Sequence, residues 1–146
     1  MKLFLDTNIL IDKLSMRAPF ADDVRQLCIA KLFGDVQLFV STQSYLDAIY
    51  ILRKHATRSE LRQRCLRSLQ FFETCDVEKA HLPSALKSDW PDVEDYIIAE
   101  TAVEIGADYL ITRDISGFKN SKVKALTPKS FIKLLEKEYG ISYDAN

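Results

Sequence analysis

The chain has 146 residues, 47% of them hydrophobic and 28% charged, which suits one globular domain and excludes a disordered protein. The formal net charge of −1 gives no general attraction to nucleic acid, and no apolar run approaches the roughly 18 residues of a membrane helix. Only three apolar residues separate Lys2 from Asp6, so we expect no signal peptide. The odd number of cysteines, at positions 28, 65 and 75, predicts reduced thiols in the cytoplasm.

Short apolar segments alternate with helical patterns along the whole chain. The predicted strands are residues 2–6, 36–40, 75–77, 108–112 and 122–126. The predicted helices are residues 9–14, 19–33, 42–53, 59–72, 79–87, 92–105 and 128–139. Pro19 and Pro128 stand at helix starts, and Gly34, Gly106 and Gly140 follow helix ends. This alternation predicts an α/β fold, a three-layer sandwich in which helices flank a central, mostly parallel sheet.

Four aspartates hold notable positions in this pattern. Asp6 ends the first strand, and Asp114 lies just past the fourth. Asp95 falls in the first turn of the helix predicted over residues 92–105. Asp47 is the only charge in an otherwise apolar helical segment, so we expect it to face the core. A buried carboxylate is costly there unless it is paired or bound to a metal ion.

Each aspartate also has an ordinary structural role open to it. Asp6 and Asp114 could cap the helix or turn that follows them, since aspartate is favoured at such positions. Asp95 could be a first-turn acid that stabilises its helix through the helix dipole. Asp47 could form an ion pair with a base such as Arg53. Taken singly, none of the four residues establishes a site.

Their joint position favours a shared site. In a parallel sheet Asp6 and Asp114 leave at the same edge, and the helices that carry Asp47 and Asp95 start from that edge. Four converging carboxylates repel one another unless a cation lies between them. Hard oxygen ligands with few histidines suit Mg²⁺ or Mn²⁺ better than zinc. One or two such ions would activate water and neutralise the charge of a phosphodiester.

Four segments carry a resemblance to a known family. They are LFLDTNILID at 3–12, VSTQSYLDAIYIL at 40–52, PDVEDYIIAETAVEIGADYLITRD at 91–114 and LTPKSFI at 126–132. In this order they resemble the PIN-domain family, and especially the VapC-type toxin ribonucleases of bacterial and archaeal toxin–antitoxin pairs. The resemblance covers nearly the whole chain, which implies a single PIN-like nuclease domain over residues 1–146.

The resemblance implies a Mg²⁺- or Mn²⁺-dependent endoribonuclease that hydrolyses RNA phosphodiester bonds. Its implied catalytic acids are Asp6, Asp47, Asp95 and Asp114, of which the first, third and fourth bind metal. Its implied supporting residues are Thr7, Asn8, Thr112 and Asp92, and Asp92 is also a natural helix cap. Asp47 departs from the family pattern, because it is one methylene shorter than the glutamate usual there.

The resemblance also implies partners. They are an RNA substrate, a cognate antitoxin protein that inserts a basic or aromatic segment into the site, and a second copy of the chain in a homodimer. Residues 53–67 carry six basic side chains against Glu60 alone. Within them Arg53, Lys54 and Arg58 are candidates to bind RNA phosphates, although such a segment is equally typical of a solvated helix face.

Two other functions fit parts of the sequence. The PIN fold could serve as an RNA- or protein-binding module with a weakened metal site, and the short Asp47 favours that alternative. A phosphohydrolase with a nucleophilic aspartate after its first strand would need a second acid two residues later. Here Thr7 and Asn8 follow Asp6, so that second acid is missing.

Overall fold

The computed structural model describes residues 1–143. Their strands are β1 Lys2–Leu5, β2 Gln37–Ser41, β3 Phe72–Cys75, β4 Tyr109–Ile111 and β5 Ala125–Leu126. Their α-helices are α1 Thr7–Ser15, α2 Phe20–Leu32, α3 Thr42–Leu52, α4 Arg58–Ser68, α5 His81–Lys87, α6 Val93–Glu104 and α7 Pro128–Tyr139. A single 3₁₀ turn spans Ile115–Phe118. None of the helices in this part of the chain is long and apolar enough to span a bilayer.

The strands form one parallel sheet in the order β3-β2-β1-β4-β5. The first strand is therefore central, and Phe4 pairs with Phe39 on one side and with Leu110 on the other. Because all the strands run in one direction, their carboxyl ends meet at one edge. The predicted fold class, an α/β sandwich with a parallel central sheet, is confirmed.

Alternate side chains of β1 pack into different helical layers. Leu3 and Leu5 are fully buried against α1, α2, α3, α4 and α7 on one face. Phe4 points to the other face, where it packs with Ile98 of α6 and with Phe118. Successive strand residues point to opposite faces of a sheet, and here both faces are covered. This arrangement explains why the strand is apolar at every position from Leu3 to Leu5.

Several helices begin at the carboxyl edge of the sheet with a side-chain cap. Each cap oxygen accepts a hydrogen bond from a backbone amide in the first turn of its helix. The capping residues of α1, α3, α6 and α7 are Asp6, Ser41, Asp92 and Thr127. The bounds predicted for the last helix, residues 128–139, are confirmed, and Gly140 ends it with a φ of 67°.

Three predicted elements differ clearly from the structure. The helix expected over residues 59–72 ends at Ser68, and the strand expected over 75–77 is β3, which begins at Phe72. Phe72 is buried in the sheet opposite Leu38, so it is a strand residue and not part of a helix core. The last strand is also shorter than expected, because only Ala125 and Leu126 pair with β4.

Candidate active site

Asp6 is buried at the carboxyl edge of the sheet, and both of its carboxylate oxygens accept a hydrogen bond. Its Oδ1 accepts from the amide of Thr7 at 2.7 Å, and its Oδ2 accepts from the hydroxyl of Thr112 at 2.8 Å. Only 6% of the residue is exposed. Burial and, to a smaller extent, the negative charges of Glu94 and Asp114 raise the pKa of Asp6 from 3.8 to about 6, although the two hydrogen bonds act to lower it. The carboxylate is held in place yet poorly solvated.

The polar residues predicted to support the acids do surround Asp6. The hydroxyl of Thr112, which is fully buried, also accepts from the amide of Asp114 at 3.0 Å and from Asn8 Nδ2 at 3.4 Å. Asn8 Oδ1 in turn accepts from the amide of Arg113 at 3.4 Å. These contacts tie the end of β1 to the turn after β4. They fix the backbone on which Asp6 and Asp114 are mounted.

Asp95 and Asp114 approach each other over Gly117. A Cβ atom at Gly117 would lie 2.7 Å from Asp95 Oδ2 and 3.2 Å from Asp114 Oδ2, so a side chain there would collide with both carboxylates. Burial, together with the charges of Asp92, Asp6, Asp114 and Glu94, raises the pKa of Asp95 to about 7. The two carboxylates therefore share a small space that only glycine leaves free.

The donor set suits a hard divalent cation. Its atoms are carboxylate oxygens, and no basic side chain contributes to the raised pKa values of Asp6 and Asp95. Gly117 keeps the space between the Asp95 and Asp114 carboxylates free of side-chain atoms. Within residues 1–143, however, no three acidic, histidine or cysteine side chains already stand in the arrangement of a finished metal site. The carboxylates would have to turn towards the ion on binding.

Asp47 does not face the core. It is partly exposed, and its Oδ1 accepts from Gln43 Nε2 at 3.0 Å on the same helix. The core face of α3 is formed by other residues, namely Tyr45, Ala48 and Leu52. The expectation of a buried Asp47 was therefore wrong, and so was its pairing with Arg53, which bonds the carbonyl of Tyr50 instead. Asp47 lies beside Glu94 and acts on its charge, not on that of Asp6.

Glu94 is the residue at this site that sequence reasoning noted only as an extra acid near Asp95, without a role of its own. Its Oε1 accepts from Thr7 Oγ1 at 3.1 Å, and partial burial raises its pKa, with Asp47 and Asp92 adding to the rise. The contact joins residues 87 positions apart, so no local pattern indicates it. The only sequence signal is the acid next to Asp95. Asp92 itself acts as the cap of α6, since its Oδ1 accepts from the amide of Asp95 at 3.0 Å.

Comparison with known proteins decides the family. Residues 2–116 match the profile of the PIN domain. This chain belongs to the PIN-domain family. The membership confirms the resemblance that the four sequence segments carry, and it argues against a phosphohydrolase with a nucleophilic Asp6. A search of curated protein sequences found no match.

Solved structures have the same PIN-domain fold. VapBC2 from Rickettsia felis, bound to promoter DNA, aligns with a TM-score of 0.64 and 18% identity over 87% of this chain and 98% of that one. A toxin–antitoxin complex from Klebsiella pneumoniae aligns with a TM-score of 0.63 and 25% sequence identity, over 86% of this chain and 97% of that one. VapC20 from Mycobacterium tuberculosis is a toxin that cleaves the Sarcin-Ricin loop. It aligns with a TM-score of 0.59 and 11% sequence identity, over 74% of this chain and 86% of that one.

A groove opens beside the acids of this PIN domain. It has a volume of about 610 Å³, and Asp47 and Glu94 stand on its wall. Most of its other lining is apolar and includes Val77, Leu82 and Ile97. Glu78 and Lys79 also line it.

The basic side chains predicted to bind RNA lie around a different cavity. Arg53 and Arg58 line a cavity of about 460 Å³ together with Arg62, while Lys54 is exposed in the turn after α3. As far as the described residues go, this cavity and the acidic groove have no lining residue in common. The structure therefore does not place these bases among the carboxylates.

Proposed function

We propose that this PIN-domain protein is a Mg²⁺- or Mn²⁺-dependent endoribonuclease and the toxin of a toxin–antitoxin pair. One observation carries the proposal: Asp95 and Asp114 approach each other over Gly117, and the charge of Asp114 reaches both Asp6 and Asp95 and raises their pKa values. Such a group of acids is stable at neutral pH only when protons or a cation offset its charge. Family membership makes the cation the better explanation.

The chain's own residues divide the work. Asp6, Asp95 and Asp114 would hold the ion, and Thr112 keeps Asp6 oriented through its hydroxyl. When bound, the cation lowers the pKa of water and neutralises charge on the phosphodiester. Gly117 leaves the space between Asp95 and Asp114 open. A fourth acid completes the set, and Asp47 and Glu94 are the two candidates.

RNA is the proposed substrate. The similar toxin from Mycobacterium tuberculosis cleaves the Sarcin-Ricin loop, which favours RNA over DNA for this chain. The cavity lined by Arg53 and Arg58 offers positive charge for phosphates outside the acidic site, and exposed Lys54 lies between them in sequence. We propose that the RNA backbone follows these bases before it reaches the carboxylates.

An antitoxin is the proposed protein partner. The similar structures from Rickettsia felis and Klebsiella pneumoniae are toxin–antitoxin assemblies. The groove beside Asp47 and Glu94 would accept apolar side chains along its walls and a basic group at its acidic side. A segment bound there would exclude substrate from the neighbouring cation site. This cytoplasmic pairing would keep the toxin inactive.

A homodimer is the proposed assembly. Large apolar side chains stand exposed on one helix, α3, and they are Leu46, Ile49, Tyr50 and Ile51. Exposed apolar patches of this kind mark protein–protein contacts. Sedimentation of the wild type and of a Leu46→Glu variant tests the assembly, and a monomeric wild type would refute it.

Cleavage assays test the enzymatic proposal directly. Purified protein should cut RNA with Mg²⁺ or Mn²⁺, stop with EDTA, and leave 5′-phosphate and 3′-hydroxyl ends. Asp6→Asn and Asp95→Asn should abolish cleavage without unfolding the protein. Wild-type rates in both variants would refute the assignment. Growth arrest on expression, relieved by the product of an adjacent gene, tests the toxin part.

The alternative is a PIN-fold binding module with a weakened metal site. The observation that favours it is Asp47, which is short, partly exposed and bonded to Gln43. A module would bind RNA or protein equally well with EDTA and with Mn²⁺. The nuclease proposal requires a metal-dependent reaction, so the same titration separates the two functions.

A further inference from the structure

Three buried hydroxyl groups form a chain that ends on Glu94. Ser41 Oγ donates to Ser44 Oγ at 3.1 Å, and Ser44 Oγ lies 2.7 Å from Thr7 Oγ1. Thr7 Oγ1 donates to Glu94 Oε1 at 3.1 Å. A hydroxyl has one hydrogen to donate, so Thr7 gives its hydrogen to Glu94 and accepts from Ser44. Each hydrogen in the chain is therefore directed towards the Glu94 carboxylate.

Thr7 holds two acids at once. Its amide donates to Asp6 Oδ1 at 2.7 Å, while its hydroxyl donates to Glu94 Oε1. Thr7, Ser41 and Ser44 are all buried, at 7%, 3% and 2% exposure, so these donors are fixed in the protein interior. Glu94 itself is open to solvent on its other side. Its carboxylate is thus anchored beside Asp6 and still accessible from outside.

Asp47 has none of these features. Its bonded oxygen takes a hydrogen from Gln43 on the exposed side of α3, although Ser44 belongs to the same helix. Among the described residues, neither Asp6 nor Asp95 has its pKa shifted by Asp47, whereas Glu94 acts on both. Of the two candidates for a fourth acid, Glu94 is the one whose charge reaches Asp6 and Asp95.

We infer that Glu94, held beside Asp6 by the hydroxyl of Thr7, is the fourth acid of the cation site and takes the role predicted for Asp47. The inference rests on the proposed function, because it assigns a residue to the cation proposed there. Glu94 would supply one more carboxylate to hold the ion, next to Asp6. Thr7 is its positioning residue.

Binding of Mn²⁺ alone, followed by calorimetry or electron paramagnetic resonance, tests the assignment without RNA. Glu94→Gln should raise the Kd for Mn²⁺ about tenfold or more, the loss typical of groups that support a metal site. Asp47→Asn should raise it by a clearly smaller factor. Glu104→Gln is the matched control, because it makes the same change at an exposed position near the far end of α6.

The hydroxyl chain has its own matched pair. Thr7→Val removes the donor to Glu94 and should weaken Mn²⁺ binding, whereas Thr7→Ser keeps the donor and should bind nearly as the wild type does. Glu94→Gln retains an oxygen for Thr7 and removes a repelling charge, so it should unfold no earlier than the wild type. Thermal unfolding of each variant without metal checks that the fold is kept.

Asp6→Asn distinguishes failure of the inference from failure of the function. In one outcome, Asp6→Asn no longer binds Mn²⁺ while Glu94→Gln binds it as the wild type does. In another, Asp6→Asn again fails to bind, and Asp47→Asn loses more Mn²⁺ affinity than Glu94→Gln does. The cation site then stands, and the assignment of Glu94 is overturned. If Asp6→Asn also binds Mn²⁺ normally, the proposed function fails and the inference fails with it.

Discussion

The hydroxyl of Thr112 donates to Asp6 Oδ2 at 2.8 Å, across 106 residues of chain. The hydrogen bond joins the ends of the adjacent strands β1 and β4, and Thr112 is completely buried. Because the same hydroxyl accepts from the amide of Asp114, one oxygen sets the positions of two proposed metal ligands.

Replacing Thr112 with valine keeps the shape of the side chain but removes its hydroxyl. Asp6 then loses a donor that orients it, so we expect the Kd for Mn²⁺ to rise about 10- to 100-fold. The rate of RNA cleavage should fall with it. Thr112→Ser is the control, since it retains the donor. Equal Mn²⁺ binding by the valine and serine variants would contradict the orienting role.

The metal-free protein should become less stable as pH rises. Burial raises the pKa of Asp6 to about 6 and that of Asp95 to about 7, from 3.8, so the folded state binds more protons than the unfolded state in this range. Their contribution is full below pH 3.8 and is lost as pH rises through about 6 and 7. Urea unfolding in EDTA between pH 4 and pH 8 measures the loss.

Two controls accompany this pH series. Asp6→Asn carries no titrating group at position 6, so it should lose less stability over the range and exceed the metal-free wild type at pH 8. Mn²⁺ should restore wild-type stability at pH 8, by about 2.7 kcal/mol at a hundred times its Kd. A free energy of unfolding that rises from pH 4 to pH 8 in EDTA would contradict the prediction.

Gly117→Ala should damage the site more than the fold. The added Cβ would meet Asp95 Oδ2 at 2.7 Å, and this oxygen is the end of a side chain that can turn away. We therefore expect the free energy of unfolding to change by less than about 1 kcal/mol. The Kd for Mn²⁺ and the cleavage rate should worsen together. Normal Mn²⁺ binding by Gly117→Ala would place the ion elsewhere.

The groove supplies a prediction about the antitoxin. Leu82 lines the groove on α5, while Leu86 on the same helix is exposed and does not line it. Leu82→Asp should weaken binding of the antitoxin encoded by the adjacent gene about tenfold or more, since it removes an apolar contact of roughly 1.5–3 kcal/mol. Leu86→Asp should bind the antitoxin as the wild type does. Both variants should still cut RNA. Equal losses in the two variants would exclude the groove.

The sequence predicts those parts of the site that the sheet determines. Asp6 and Asp114 come at the ends of β1 and β4, so a parallel sheet alone brings them to one edge. Asp95 follows from its place in the first turn of α6, just after the Asp92 cap. These positions depend on local patterns, and local patterns are visible in the sequence.

The remaining parts depend on contacts that no local pattern records. Leu46, Ile49 and Tyr50 are exposed, so the apolar run around Asp47 did not indicate which face of α3 is covered. An exposed apolar face has the same sequence pattern as a buried one. Glu94 gains its place only through Thr7, on another element. Such a residue is found only when the two elements are seen together.

The cap of α1 links the site to the start of a helix. Asp6 Oδ1 is the acceptor for the Thr7 amide, so any event that draws negative charge from Asp6 also weakens the first turn of α1. Deuterium uptake at the amide of Thr7 should therefore report the state of the carboxylate, even when no RNA is cut. If Asp6 binds a cation as proposed, the exchange rate of this one amide will therefore report whether the cation is bound.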